Sequence, residues 1–393
     1  MGHMLKQLFF LITAYICLFA SEPNVKVSAK SAILIDAKTG KILYEKNAHD
    51  RFFPASLTKI ATLYYTLETV SDLEQLVTPS VGALIEIDPK EKHENYNIPP
   101  FILEKDGTKM YGVSSEKPAL LKDLLYGLML VSGNNAANVL AEAVSGDIPS
   151  FVEELNAFLK RKGLNNTYFK NPHGLHYPGH YSSAYDLAIL TKNAMENPIF
   201  AEIVKTTSYN SKSCNYEMFQ RNKLLCKSSY YYYPKATGVK LGYTSKSGHN
   251  LVATAEDENR SLVGVVLGCE KNVGHYKDMI KLFDTFMSEE IVDEVVFFDN
   301  QVFEKTLPGA KSSIKAIILK DLVVSYHMST KPKLEAFIEW TDISLPIKKG
   351  QVVGKVIIKD EDRELASANL YSENNVNKEF GKVISDLFLQ HSK

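Results

Sequence analysis

Cationic excess, abundant cysteine and metal-ligand spacing are all missing from this sequence. Lys and Arg number 45 against 46 Asp and Glu in 393 residues, which excludes a broad basic surface for nucleic acid. There are four cysteines, and Cys17 falls in an N-terminal apolar run. Cys214, Cys226 and Cys269 remain, an odd number, and spacing leaves open whether Cys214 and Cys226 pair in an oxidising compartment. No Cys/His spacing has the form of a metal site, so neither metal nor cofactor is expected. His173, His176 and His180 share a Gly/Pro-rich stretch without an i, i+4 pair and read as polar loop residues. Apolar content of 45% is ordinary for a globular protein, and no segment reads as long disorder.

The N-terminus has the form of an export signal. A positive Met1–Lys6 stretch is followed by an apolar run from Leu8 to Ala20, short for a spanning helix. Residues 1–20 therefore read as a signal peptide, with an uncleaved anchor as the alternative. Tyr15 and Ile16 beside Cys17 argue against a lipoprotein attachment site. Either way, the body of the protein is expected outside the cytoplasm.

Apolar periodicity divides the rest. Ser31–Asp36 and Lys41–Glu45 read as a hairpin around Gly40. Helical patterns follow from Ser56, over Leu120–Val131, Asn135–Ala143, Ser150–Lys162 and Ser183–Glu196, with a polar, proline-containing loop predicted over 85–110. Strand-like runs appear at Val239–Thr244, His249–Ala255 and Ser261–Leu267, and then a helix at Gly274–Ser288. Strand, helices, strands predicts an α+β fold with an antiparallel sheet flanked by helices over residues 25–289. Short alternating runs over 290–375 predict a C-terminal all-β domain. Residues 377–391 form an amphipathic pattern, Phe380, Val383, Ile384, Leu387 and Phe388 sharing one face. That helix would either pack on the β domain or lie in a membrane interface.

Chemistry concentrates at Ser56-Leu-Thr-Lys59. Residues i and i+3 share a helix face, so the Lys59 amine reaches the Ser56 hydroxyl. Serine is a weak nucleophile until a base takes its proton. Lysine serves as that base only where burial or neighbouring cations lower its pKa. N–H groups at a helix start are free to stabilise an oxyanion. Two further groupings accompany this pair. Ser132-Gly-Asn134 follows an apolar helix and presents a hydroxyl and an amide in a tight turn. Lys240-Leu-Gly242, with Tyr243 and Thr244 next, opens a strand in which glycine permits close approach of a ligand and lysine suits a carboxylate.

The order S-x-x-K, S-x-N, K-x-G matches the signature set of penicillin-binding proteins and class A β-lactamases. The chain resembles the low-molecular-mass penicillin-binding proteins that are D-alanyl-D-alanine carboxypeptidases, over nearly everything after the export segment. The resemblance is carried by Ile35-Asp-Ala-Lys-Thr-Gly40, Pro54-Ala-Ser-Leu-Thr-Lys59, Asp123-Leu-Leu-Tyr-Gly-Leu-Met-Leu-Val-Ser-Gly-Asn-Asn135, Asn171-Pro-His-Gly-Leu175, Tyr181-Ser-Ser-Ala-Tyr-Asp-Leu-Ala188 and Gly238-Val-Lys-Leu-Gly-Tyr-Thr244. It implies a β-lactamase/transpeptidase-like fold and favours the membrane-surface reading of the last helix.

It also implies roles. Ser56 would attack the penultimate D-alanine carbonyl of a peptidoglycan stem peptide, Lys59 would take its proton, and Ser132 would relay a proton to the leaving amine. Asn134 would hold the substrate peptide group and Lys240 the terminal carboxylate. Gly242, Tyr243 and Thr244 would border the substrate, the N–H groups of Ser56 and Tyr243 forming the oxyanion hole. β-Lactams would acylate Ser56. Three positions depart from the family pattern. Leu241 replaces a threonine, Cys269 an arginine and Asn135 an aspartate. Two other functions stand beside this one: a β-lactamase, for which Glu153-Glu-Leu-Asn156 offers a candidate water-orienting carboxylate, and a catalytically weak binding or scaffold protein, which Leu241 invites.

Overall fold

The computed structural model describes residues 25–94 and 97–379. The expected signal peptide at 1–20 and the amphipathic segment from Phe380 onward lie outside the described residues. The chain divides into two compact units at Ser288/Glu289.

The first unit is built on a five-stranded antiparallel sheet. Its strands run in the order Ile42–Lys46, Ser31–Asp36, Ser261–Cys269, Gly248–Glu256, Ala236–Thr244. The N-terminal hairpin thus completes the sheet laid down by the later strands, Ser31 pairing with Leu267 and Asp36 with Leu262. Successive side chains alternate between faces, and both faces of the central strands are covered, so Ser31–Asp36, Gly248–Glu256 and Ser261–Cys269 are buried nearly throughout. Ile33, Ile35, Val263, Val265 and Leu267 join a core shared with the main helical layer. Ala32, Leu34, Leu262 and Val266 face a second core, which holds the helix at Gly274–Met287.

In chain order the helices are α1 (Thr58–Thr69), α2 (Pro89–Glu94), α3 (Leu121–Leu130), α4 (Asn134–Ser145), α5 (Ile148–Arg161), α6 (Ala184–Met195), α7 (Pro198–Lys205) and α8 (Gly274–Met287). Local chemistry sets several starts. Asp147 accepts from Ser150 N–H at α5, and Ser183 accepts from Asp186 N–H at α6. Asn197 accepts from Ile199 and Phe200 N–H with Pro198 in the first turn of α7. Helix α7, the hairpin Ser208–Ser211/Tyr216–Phe219 and α2, inside the expected 85–110 loop, have no counterpart in the periodicity reading. Each is too short to show a period.

The second unit has a five-stranded sheet in the order Val302–Lys305, Ile314–Ile317, Arg363–Ser372, Val352–Asp360, Leu334–Trp340, and a two-stranded ribbon of Ile291–Phe297 with Leu322–His327. Ile314, Ala316, Val324, Val353, Val356, Ile358 and Leu370 form its core. Residues 377–379 do not begin a helix, because Lys311 N–H donates to Asn377 O and Glu379 N–H to Gly309 O, which holds them extended. Cys214, Cys226 and Cys269 are all free thiols, so the pairing left open by the sequence is not made.

Candidate active site

Ser56 sits in a short 3-10 turn, Ala55–Leu57, immediately before α1, rather than in the α-helix itself. The preceding Ala55 has φ of +51°, a left-handed conformation that non-glycine residues adopt at a cost. The turn is held from three sides. Asn250 Nδ2 donates to Phe53 O and Pro54 O at 3.0 and 3.3 Å, while its Oδ1 accepts from Gly268 N–H. Thr58 Oγ1 donates to Ala55 O at 2.9 Å. Gly174 lies so close that an added Cβ would fall 2.0 Å from Ala55 O. The strain at Ala55 is therefore over-determined by its surroundings.

One turn on, Lys59 has no exposed surface. Its Nζ lies 2.6 Å from His173 O, 2.7 Å from Asn134 Oδ1 and 3.2 Å from Ser56 Oγ. Burial drives its pKa well below the ordinary lysine value, and the charges of Lys240 and Arg221 push the same way. A neutral amine has two hydrogens and one lone pair. Its two shortest contacts are to acceptor oxygens, which take the hydrogens. In the neutral form the lone pair is then left for the Ser56 hydroxyl, 3.2 Å away. This is the geometry a general base needs.

The second grouping comes from α4. Ser132 has φ of +61° and its buried Oγ has no protein hydrogen-bond partner. Its carbonyl accepts from Thr108 Oγ1 at 2.6 Å, and Asn134 N–H donates to Thr108 O at 2.9 Å. Asn135, in the place of the family aspartate, exchanges two bonds with the Met110 backbone, Nδ2–H to Met110 O and Met110 N–H to Oδ1, both 2.9 Å. An amide is the side chain that supplies both a donor and an acceptor there.

The third grouping lies on Ala236–Thr244, an edge strand of the sheet. Lys240 is buried, donates to Leu241 O at 3.0 Å, and has its pKa pushed down to about 7 by burial and by Arg221. Gly242 abuts the nucleophile turn: an added Cβ would lie 2.9 Å from Pro54 O, 3.1 Å from Ser56 N and 3.2 Å from Leu57 N. Only glycine fits that approach. Tyr243 is exposed and stacks on His249 at 4.4 Å. Thr244 Oγ1 accepts from Ser247 N–H at 3.0 Å, closing the turn that follows. Leu241 is half-buried and packs on the α8-side core opposite Leu251.

The fold thus brings Lys59 into contact with both Ser56 and Asn134, sets the Gly242 strand against the Ser56 turn, and places the Lys240 charge near Lys59. Sequence reasoning missed Asn250, Gly174 and Arg221. The histidines taken as plain loop residues also prove structural. His173 Nε2–H donates to Phe101 O at 3.2 Å and Nδ1 accepts from Leu175 N–H at 3.1 Å, while its carbonyl receives Lys59. Since Thr58 Oγ1 gives its own hydrogen to Ala55 O, His180 Nε2–H donates to it at 2.9 Å. Burial first, then nearby positive groups, holds His180 neutral down to about 3.

The candidate β-lactamase glutamates do not belong to this site. Glu153 and Glu154 are exposed on α5, and Glu154 Oε2 accepts from Tyr65 OH and Ser145 Oγ at 3.1 and 2.6 Å. Asn156 is engaged with Phe169 and Val152. An amphipathic helix turns these polar residues away from its buried face.

A family model described as D-alanyl-D-alanine carboxypeptidase matches residues 18–271, and one described as penicillin-binding protein 5, C-terminal domain, matches residues 294–378. The chain is 32% identical over 378 residues to D-alanyl-D-alanine carboxypeptidase DacA of Haemophilus influenzae, covering 91% of this chain and 88% of the relative. Among solved structures, penicillin binding protein 5 from Haemophilus influenzae superposes with a TM-score of 0.61 at 30% identity, covering 90% of this chain and 98% of the other. Penicillin binding protein 6B from Escherichia coli gives 0.62 at 26% identity, with coverages of 89% and 97%.

Proposed function

The chain belongs to the D-alanyl-D-alanine carboxypeptidase family, and from that premise we propose how its residues divide the reaction. Ser56 Oγ attacks the carbonyl of the penultimate D-alanine of a peptidoglycan stem peptide while Lys59 Nζ takes its proton. The tetrahedral oxyanion is held by backbone N–H groups of Ser56 and Tyr243. Collapse breaks the peptide bond, and Ser132 relays a proton to the departing amine of D-alanine. Water then hydrolyses the ester, with Lys59 again accepting a proton. Asn134 holds the substrate peptide group, and its contact with Lys59 ties binding to the base. Lys240 takes the terminal carboxylate. Binding an anion there favours the charged amine, so the substrate itself returns a lysine with a pKa near 7 to its cationic form.

The observation that carries this reading is the fully buried Lys59 amine at 3.2 Å from Ser56 Oγ, with its other two bonds on acceptors. The edge position of Ala236–Thr244 supports it further, since an unpaired strand edge suits an extended peptide substrate. β-Lactams, which present a strained amide beside a carboxylate, would acylate the same hydroxyl. The protein would work outside the cytoplasm, on the outer face of the membrane, with the amphipathic segment after Glu379 as a surface anchor. Among the described residues no helix is long and apolar enough to cross a membrane.

Mass spectrometry after incubation with penicillin tests the proposal. The expected result is one adduct, on Ser56, together with D-alanine release from a short D-Ala-D-Ala peptide that Ser56→Ala abolishes. D-alanine release by Ser56→Ala at the wild-type rate would overturn it. A catalytically weak scaffold would release none.

A further inference from the structure

We propose that Lys92, remote in sequence from the three catalytic groupings, is a positioning residue that holds the general base in its working geometry; this rests on the function proposed above. Lys92 projects from α2 and is fully buried. Its Nζ donates to Ile102 O at 2.5 Å and faces Glu104 Oε1 at 3.7 Å. Burying an ammonium group is expensive unless it is paired, and Glu104 supplies the pairing. The segment it grips is a strap whose successive carbonyls are each held by a different element. Pro100 O accepts from Asn171 Nδ2 at 3.3 Å. Phe101 O accepts from His173 Nε2–H at 3.2 Å and from Asn138 Nδ2 at 2.9 Å. Ile102 O accepts from Lys92.

The elements gripping the strap are those that hold Lys59. His173, whose ring is tied to Phe101, gives its own carbonyl to Lys59 Nζ. Asn138 lies on α4 one turn beyond Asn134, whose Oδ1 is the other acceptor. The strap therefore ties together the two acceptors that orient the Lys59 hydrogens. Downstream, the same stretch reaches Ser132 and Asn134 through Thr108. With Lys92 removed, the Ile102 end keeps only the backbone pairing of Leu103 and Lys105 with Ile85 and Ile87, the two acceptors gain freedom to separate, and the Lys59 lone pair is less well directed at Ser56 Oγ.

The test measures acylation by a fluorescent penicillin across pH in the full chain. Lys92→Met is expected to lower the second-order acylation constant by about tenfold or more. Its acid limb should move to higher pH, because a less confined, better hydrated Lys59 regains its proton more readily. The other charged and titratable groups near Lys59 are Lys240, Arg221, His173 and His180, and all of them stay in place. Arg260→Met is the control. Arg260 is also fully buried, but it donates to Phe286 O on α8, on the opposite face of the sheet. It should lower Tm without moving the acid limb. Acylation by Lys92→Met within about twofold of wild type, or a loss matched by Arg260→Met with no pH shift, overturns the proposal. Asn138→Ala releases the strap from α4. If Lys92→Met does not fold, an unmoved acid limb in Asn138→Ala overturns it alone. A wild-type protein without an adduct on Ser56 would instead refute the underlying function.

Discussion

Buried charge separates the two units of this chain. Among the described residues up to Ser288, Asp36, Lys59, Lys92, Asp123, Asp186, Lys240, Arg260 and Asp278 are buried. From Glu289 to Glu379 no Lys, Arg, Asp or Glu is buried, and the ion pairs there, such as Lys355–Glu364 at 3.0 Å, lie on the surface. A fold stabilised by packing alone has no need of buried ions, which cost more to desolvate than a surface pair returns. In the first unit Lys59 touches Ser56, and the Lys240 charge bears on Lys59. There the desolvation that would otherwise be a defect shifts lysine pKa values into a useful range. The second unit holds its β core by apolar contacts and leaves its charges in water.

The largest effect that would sharpen this contrast comes from a residue with no charge. Gly242→Ala should reduce acylation of Ser56 by about 100-fold, measured with labelled penicillin, because its methyl would press on Pro54 O and the Ser56 N–H. Activity retained within a few-fold would mean the nucleophile turn yields easily, and the close packing argued above would fail.

That prediction also shows what the sequence made legible. Ser56, Lys59, Ser132, Asn134, Lys240 and Gly242 could be read because each grouping is local, a hydroxyl, amine or glycine at fixed spacing. Ser31–Asp36 and Ser261–Cys269 were legible because both faces are buried and their runs are mostly apolar. Asn250 and Arg221 were not, since each acts on residues that only the tertiary fold brings near, Asn250 on Phe53 being the longest reach; Gly174 stood in the Asn171-Pro-His-Gly-Leu175 motif without a role, and Lys92 reaches Ile102 across a loop that has no period. The 3-10 turn at Ser56 was hidden because its apolar period continues into α1.

Lys240 provides the next test. With its pKa near 7, its amine is charged below that pH and neutral above it. The KM for a peptide ending in a free carboxylate should therefore rise as pH increases through 7, by about 10- to 100-fold toward the level of Lys240→Met. A substrate with its carboxylate amidated should show no such rise. A smaller effect is expected from Leu241→Thr: Leu241 packs on the α8-side core, so β-lactam acylation should stay within about twofold while Tm falls. A several-fold gain in acylation would show that this side chain reaches the Ser56 face. The smallest effect is expected in the second unit: Glu364→Gln, which removes the exposed partner of Lys355, should barely move Tm and should leave acylation unaltered. A large loss from that change would break the distinction between the two units.

The protonation state of Lys59 is the most direct measurement. Nuclear magnetic resonance of the full chain with lysine labelled at Cε and Nζ, assigned by comparison with Lys59→Met, reports it without reference to turnover. The expected result is a Lys59 signal that titrates well below the ordinary lysine range. A Lys59 signal that stays cationic through pH 9 would contradict the assignment of this amine as the base that activates Ser56.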